Sequence, residues 1–556
     1  MQSDIKVVQV ETFKVPTVCR TPLKFGAVVV DKTITGYAKV TVENRAGRRA
    51  TGWGAMFIMD LWAWPGPPAT HEPRLYTMCD LFDSYAKLIA GYGRFAHPIE
   101  IFMETEADLR RLSARPPREG AGAEPMPFLA ALVTASPVDH AVHDAFGNAA
   151  GIDSYRGYGP EHMSFDLARY LGPEFAGVYP SQFLRQDYAP RVPVFHLVGG
   201  LDVLREKDAP ADAPKDGVPN SFEKWIERDG VFCLKVKLRG RDLEWDIART
   251  LEVSRIYHEV RSRARPDLPG RPHLTADTNE QCESPAYIVE YLQKVRERAP
   301  EVFAEILYIE QPTERDLQAH RFDMRPVARL KPVLIDESLT SPQDFRLAME
   351  LGWSGIALKS CKCLSSDLLL VPMAELAGVP YAVQDLTNPS IALVESIGLA
   401  ARTHTIMGVE ANSRQFFPGA NAAAGKVHPG LYEIRDGYAR TASMTGTGLG
   451  FRMNEIDLAA CGSGLSRRDF LKSAGAGALG ALGAAALGRA AAGGDGKTEL
   501  YDLRSDVREV RDVADQNPEV VKRVEEVLRT ARVDSPLPAW SPTQPAKKGK
   551  AAKKQA

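Results

Sequence analysis

Between residues 192 and 412 the chain repeats one pattern that restricts its fold more than any other feature. A short apolar or β-branched run ends at or near a charged residue, and a helix-length amphipathic stretch follows. The first two runs cover residues 192–197 and 231–238; the others start at His273, Leu307, Pro332, Gly355, Pro380 and Gly408. Helices are predicted over 242–260, 285–298, 317–330, 342–351, 365–377 and 391–402. Eight strands with regular crossovers fit one closed (β/α)8 barrel better than an open sheet. In such an array the strand ends share one rim, the functional face of the barrel. That rim would carry Lys235, Lys237, Asp277, Asn279, Glu310, Asp336, Glu337, Lys359, Asp385 and Glu410.

Three acids from adjacent strand ends, Asp277, Glu310 and Asp336, offer hard oxygen ligands suited to Mg2+. Asn279 and Glu337 stand ready to support or replace them, with Asp385 and Glu410 further round the rim. The lysines of the second and sixth strands would face each other across the ion. A water-shielded lysine beside another cation has a lowered pKa and serves as a base near neutral pH. An ion between two opposed bases suits proton abstraction next to a carboxylate.

The front of the chain is different. Residues 4–60 alternate apolar and polar in three strand-like runs (7–13, 24–30 and 33–42), and a turn at 43–47 leads into a fourth over 50–57, an antiparallel meander. Residues 80–151 have helical periodicity, with Val138, Ala141, Val142, Ala145 and Phe146 on one face. His140 and His143, one turn apart, read as a polar helix flank. Arg20 and Lys24 read as part of a solvated loop. A net charge of −2 over 556 residues gives no reason to expect a nucleic-acid partner. Seven scattered cysteines without a Cys-x-x-Cys pair point to a reducing compartment rather than a disulfide framework.

The set Lys235-x-Lys237, Asp277-x-Asn279, Glu310-Gln311-Pro312, Asp336-Glu337-Ser338 and Lys359 resembles the enolase superfamily, nearest its mandelate-racemase and muconate-lactonizing branch. Asp144-Ala145-Phe146-Gly147 and Gly446-Thr447-Gly448-Leu449-Gly450 look like that family's cap-to-barrel junction and closing strand. The resemblance implies an α/β fold, a (β/α)7β TIM-like barrel with an α+β N-terminal capping domain. It assigns 1–190 to the cap, 191–426 to the barrel and 427–452 to a closing segment that returns to the cap. It implies Mg2+ on Asp277, Glu310 and Asp336. Lys237 and Lys359 would be acid/base groups on opposite substrate faces, and Lys235 would polarise a small-molecule carboxylate substrate. Racemases, epimerases, dehydratases and cycloisomerases share this half-reaction, so the product stays open. The alternative is a non-catalytic barrel used for binding or scaffolding; two opposed bases favour an isomerase or lyase. A cytoplasmic homo-oligomer without stable membrane insertion is expected.

Beyond residue 452 the sequence changes character, and a largely disordered or loosely helical tail is predicted. Ser466-Arg467-Arg468-Asp469-Phe470-Leu471-Lys472 resembles a twin-arginine export motif within a low-complexity segment, 453–496. Export signals act at N-termini, so an internal one is expected to be inert. Residues 497–543 resemble the end of a sulfatase, but no Cys-x-Pro-x-Arg nucleophile motif accompanies them. Residues 544–556 form a basic tail expected to be disordered.

Overall fold

The structure is a computed structural model that describes residues 1–25, 28–457, 488–492 and 498–502. Two compact units divide the chain, Met1–Gly477 and Ala478–Ala556.

The first unit opens with three antiparallel strands, β1 (Ile5–Phe25), β2 (Val28–Asn44) and β3 (Arg49–Ile58), in the order β1-β2-β3. The run predicted over 7–13 belongs to the longer β1, whereas the strand predicted over 24–30 is divided between the end of β1 and the start of β2, which pair antiparallel there. Three helices follow: α1 (His71–Ala90) and α3 (Phe128–Ala150) cover the sheet, and α2 (Pro98–Ser113) packs against both of them. Gly52 and Gly54 of β3 let two backbones meet, because a Cβ there would lie 2.0 Å from the nitrogen of Ala145 and 2.1 Å from the carbonyl oxygen of Pro137.

Helix α3 is therefore buried on nearly every side, not on one face as its periodicity suggests. The polar-flank reading of its histidines is corrected here. His140 Nε2 lies 2.9 Å from the carbonyl oxygen of Ser360, and His143 bridges Tyr158 Oη and Ser365 Oγ at 2.8 Å each. These contacts join the cap helix to the barrel, where burial without a partner would be costly.

Eight parallel strands follow: β4 (Arg191–Val198), β5 (Cys233–Lys237), β6 (His273–Asp277), β7 (Ile306–Glu310), β8 (Val333–Ile335), β9 (Gly355–Lys359), β10 (Tyr381–Gln384) and β11 (Val409–Glu410). Each pairs with the next, and β11 pairs with β4, so the barrel closes. A short strand, β12 (Tyr438–Arg440), runs antiparallel along β4. The segment beyond it reaches the cap: Leu449 N–H donates to Asp144 Oδ1 at 2.7 Å, and Ser154 N–H donates to the Gly448 carbonyl at 2.8 Å.

The outer helices include α4 (Phe222–Asp229), α5 (Leu243–Arg263), α6 (Pro285–Arg298), α7 (Pro342–Glu350), α8 (Leu364–Ala377) and α9 (Ile391–Arg402). The helix predicted over 317–330 shrinks to Arg325–Ala328. Asp316 Oδ1 accepts from the backbone of Gln318 and Ala319, and Asp323 Oδ1 accepts from that of Arg325. Side-chain turns of this kind compete with helical hydrogen bonds.

In the second unit, β13 (Gly488–Ala492) and β14 (Thr498–Asp502) pair antiparallel. The twin-arginine-like motif and the basic tail lie outside the described residues, as does most of the sulfatase-like stretch. Among the described residues the cysteines are free, and no helix is long and apolar enough to cross a membrane.

The seam between cap and barrel holds several buried acids. Burial pushes the carboxyl of Asp139 up to about 6, that of Asp144 up to about 7 and that of Asp367 up to about 8. Each folded-state pKa exceeds the unfolded one, so the folded protein binds more protons between those values. Stability should therefore fall as pH rises from about 4 through 8. Asp367→Asn should flatten the upper part of that fall, measured by denaturant unfolding at several pH values. An unchanged slope would show that Asp367 ionises freely in the folded state.

Candidate active site

Side chains two residues apart on a strand share a face, so Lys235 and Lys237 both point into the barrel. The register sets their heights. Lys237, Asp277 and Glu310 stand side by side, while Lys235 aligns with Thr275 and Tyr308 one layer lower. Tyr308, Leu334 and Ala382 form a small apolar floor beneath. Strand β8 ends at Ile335, which leaves Asp336 and Glu337 on the rim beside Glu310.

The predicted groups do converge. Lys235 Nζ lies 3.1 Å from Asp277 Oδ2, 2.9 Å from Glu310 Oε1 and 3.0 Å from Glu410 Oε2. Lys237 pairs with Asp277 and donates to Asn279 Oδ1 at 2.8 Å. Lys359 Nζ lies 2.7 Å from Asp336 Oδ2. Strands β5 and β9 are four places apart in a ring of eight, so Lys237 and Lys359 enter from opposite walls. Asn279 Nδ2 donates to Glu337 Oε1 at 3.1 Å. Asp385 accepts from the Asn412 backbone at 3.0 Å, standing beside the pair of Glu410 and Lys235.

Other residues of the cluster escaped the sequence reading. Gln384 donates to Glu310 Oε2 at 2.6 Å and to Tyr308 Oη at 3.2 Å. Lys362 donates to the Asp336 carbonyl at 2.6 Å and to its Oδ1 at 3.0 Å. From the cap, Trp62 Nε1 donates to Glu337 Oε1 at 2.9 Å, and its ring centre lies 4.6 Å from Lys359 Nζ. Arg315 ties that cap loop down through the Trp62 carbonyl at 3.1 Å while pairing with Glu280. Asp277, Glu310 and Asp336 are 0% exposed and Lys359 is 4% exposed, so the rim is shut off from solvent, with Trp62 lying over Lys359 and Glu337.

The charges are unbalanced. Burial, then the carboxylate of Asp277, holds Glu310 well above the usual range. Burial and Asp336 push Glu337 up to about 7, and burial with Glu410 pushes Asp385 up to about 7. Asp277, despite its burial, is held down at about 2 by Lys237 and Lys235. Burial alone would lower Lys359, but Asp336, Glu310 and Glu337 outweigh it and hold the ammonium above its usual value. Lys235 is raised in the same way. Among the rim's own groups carboxylates are the nearest charges to both lysines; the lowered value expected from the sequence belongs to a lysine with a cation beside it.

Seven carboxylates (Asp277, Glu280, Glu310, Asp336, Glu337, Asp385 and Glu410) thus meet five cations (Lys235, Lys237, Arg315, Lys359 and Lys362). Counted as fully ionised, the acids exceed the cations by two charges, an excess that the raised carboxyls of Glu310, Glu337 and Asp385 partly offset by holding protons. Glu337 Oε2 is buried without a hydrogen-bond partner. Among the described residues no three His, Cys, Asp or Glu side chains are already gathered for a metal; ammonium groups stand between the carboxylates. The donors themselves are hard oxygens of the kind that hold Mg2+.

Arg20 is neither solvated nor free for a substrate. Its guanidinium grips Asp216 at 2.7 and 2.8 Å and donates to Asn220 Oδ1 at 2.7 Å, pinning the 208–220 loop. The side chain of Lys24 lies outside the described residues.

Residues 218–457 match the family model described as enolase C-terminal domain-like. The fold is enolase-like. Three solved structures resemble the chain over most of its length. An enolase from Bradyrhizobium complexed with magnesium and mandelic acid shares 18% identity over 81% of this chain and 96% of its own, with a TM-score of 0.51. A muconate lactonizing enzyme from Mucobacterium smegmatis complexed with muconolactone shares 16% over 82% and 97%, with a TM-score of 0.51. A mandelate racemase/muconate lactonizing protein from Herpetosiphon aurantiacus shares 17% over 81% and 98%, with a TM-score of 0.52. At these identities the likeness is one of fold. No curated protein matches the chain. The enolase-like match takes in strands β5 to β12, and with them every rim residue named above.

Proposed function

We propose that this chain is a magnesium-dependent isomerase or lyase that removes the proton next to the carboxylate of a small organic acid. The observation that carries the reading is the pair Lys237 and Lys359, entering from opposite walls onto a cluster with surplus negative charge. Asp277, Glu310 and Asp336 would hold the ion. Bound there, Mg2+ would supply the positive charge that makes an α-proton acidic enough to remove.

The rest is work for the protein's own groups. Releasing Asp336 from Lys359 removes the largest charge that holds that ammonium up, which brings Lys359 toward the range of a base, while releasing Asp277 frees the Lys237 amine to face a substrate. One lysine then takes the proton from one face of the substrate. The other can return a proton to the opposite face, or to a leaving group. Lys235, one layer lower, keeps Asp277, Glu310 and Glu410 in place. The Trp62 loop shuts water out.

The test is hydrogen exchange of the full chain in D2O with Mg2+ and pools of amino acids, dipeptides and sugar acids. Loss of α-proton NMR signals that stops on adding EDTA is the expected result. Magnesium binding without exchange in any pool would instead support a non-catalytic binding role.

A further inference from the structure

Outside the barrel wall, between the outer face of β4, helix α4 and the 200–220 loop, lies a cavity of about 370 Å3. That volume is within the range of small-molecule sites. His196 on β4 lines it, pointing away from the barrel because its neighbours Phe195 and Leu197 take the inner face. The imidazole packs against Phe222 and Trp225, with ring centres 6.0 and 5.3 Å apart.

The hydrogen bonds around His196 do not close. Arg414 points an Nη at His196 Nδ1 from 3.0 Å, and Gln415 points its amide nitrogen at His196 Nε2 from 3.4 Å. The Gln415 amide cannot turn over. Its oxygen accepts from the Leu197 N–H at 3.2 Å, and its nitrogen donates to the Leu197 carbonyl at 3.0 Å. A neutral imidazole has one acceptor nitrogen, yet two donors face the ring. Protonation would make the mismatch worse, and burial with Arg414 and Arg228 keeps the ring neutral. With Arg414 satisfied at Nδ1, the Nε2–H and the second amide hydrogen of Gln415 are left facing each other. Both residues line the cavity, and an acceptor atom there would answer both donors.

The same cavity is lined by Asp202 and Asp212, which can accept from an N–H, and by Arg20, whose charge is already met by Asp216, so the acids disfavour an anion. Trp225, Phe222 and Phe416 give it aromatic walls. We propose that this cavity is a binding site, separate from the barrel rim, for a small uncharged aromatic amide. Its carbonyl would accept from His196 and Gln415, and its N–H would donate to the acids.

The probe is benzamide, titrated into the full-length protein and followed by calorimetry and by the 15N shift of His196 Nε2. Benzoate and toluene serve as the charged and the purely apolar comparison. Benzamide should bind with a Kd of about 1 mM or tighter and move the His196 signal, and both comparison compounds should bind at least about tenfold more weakly. Ala213→Trp, on the loop lining the cavity, should abolish binding by filling the space while leaving the donors in place. His196→Phe should keep the aromatic packing and lose the preference for amide over toluene. No binding by benzamide, or binding that survives Ala213→Trp, overturns the proposal and leaves the cavity to water. Neither result bears on the rim chemistry, which is read separately by exchange in D2O.

Discussion

Replacing Lys359 by alanine should lower magnesium-dependent α-proton exchange by about 10²–10⁴-fold, the usual contribution of a positioned acid or base. Lys237→Ala should do the same, but on the other enantiomer. The two lysines reach the cluster from strands four places apart in a closed ring of eight, so each addresses one face of a bound substrate. With a racemic substrate, each variant should therefore keep exchanging one hand and lose the other. Both variants should still bind Mg2+, because Asp277, Glu310 and Asp336 remain. NMR exchange with each separate enantiomer reads the outcome. If both alanine variants exchange both hands at the parent rate, the lysines are structural counter-ions and the proposed chemistry falls.

Much of this site is legible in the sequence for one physical reason. A parallel barrel puts every strand end on one rim, so charged residues that end apolar runs are brought together whatever lies between them. Asp277, Glu310, Asp336, Lys237 and Lys359 follow from that rule alone. Its failures are failures of parity. By its sequence the run at 380–385 ends in Asp385, yet Gln384 is the residue that faces inward onto Glu310, Lys235 and Tyr308. A one-residue error at a strand end turns a side chain to the other face.

The cap's contribution is less legible still. Trp62 sits in a one-turn helix, Asp60–Ala63, in an aromatic and apolar stretch without a charge cluster to mark it, and only the fold brings its indole N–H to Glu337, 275 positions away. Arg20 misled in the opposite direction: a cation in a loop resembled a solvated group, whereas tertiary contacts turn it into a clamp on residues 214–220. His140 and His143 show the same limit, since their burial depends on the barrel surface that meets α3.

Lys235→Met should destabilise the magnesium-free protein by about 3–5 kcal/mol, the cost of removing one partner from a buried ionic cluster. Methionine fills similar space, so the loss would report charge rather than packing. Lys235 is 2% exposed and touches three carboxylates, of which only Asp277 has a second ion pair, with Lys237. The penalty should shrink as pH falls, because Glu310, already held above the ordinary carboxylate range, can then take up a proton. Magnesium should shrink it too, by placing positive charge among the same acids. Denaturant unfolding of parent and variant, with and without Mg2+, gives the four stabilities needed. A cost below about 1 kcal/mol would mean that the cluster is already neutral without its lysine. A full cost that Mg2+ does not relieve would mean that the ion, if it binds, binds elsewhere. Relief by Mg2+ but not by Na+ at equal ionic strength would tie the surplus charge of the rim to a divalent ion, independently of any substrate.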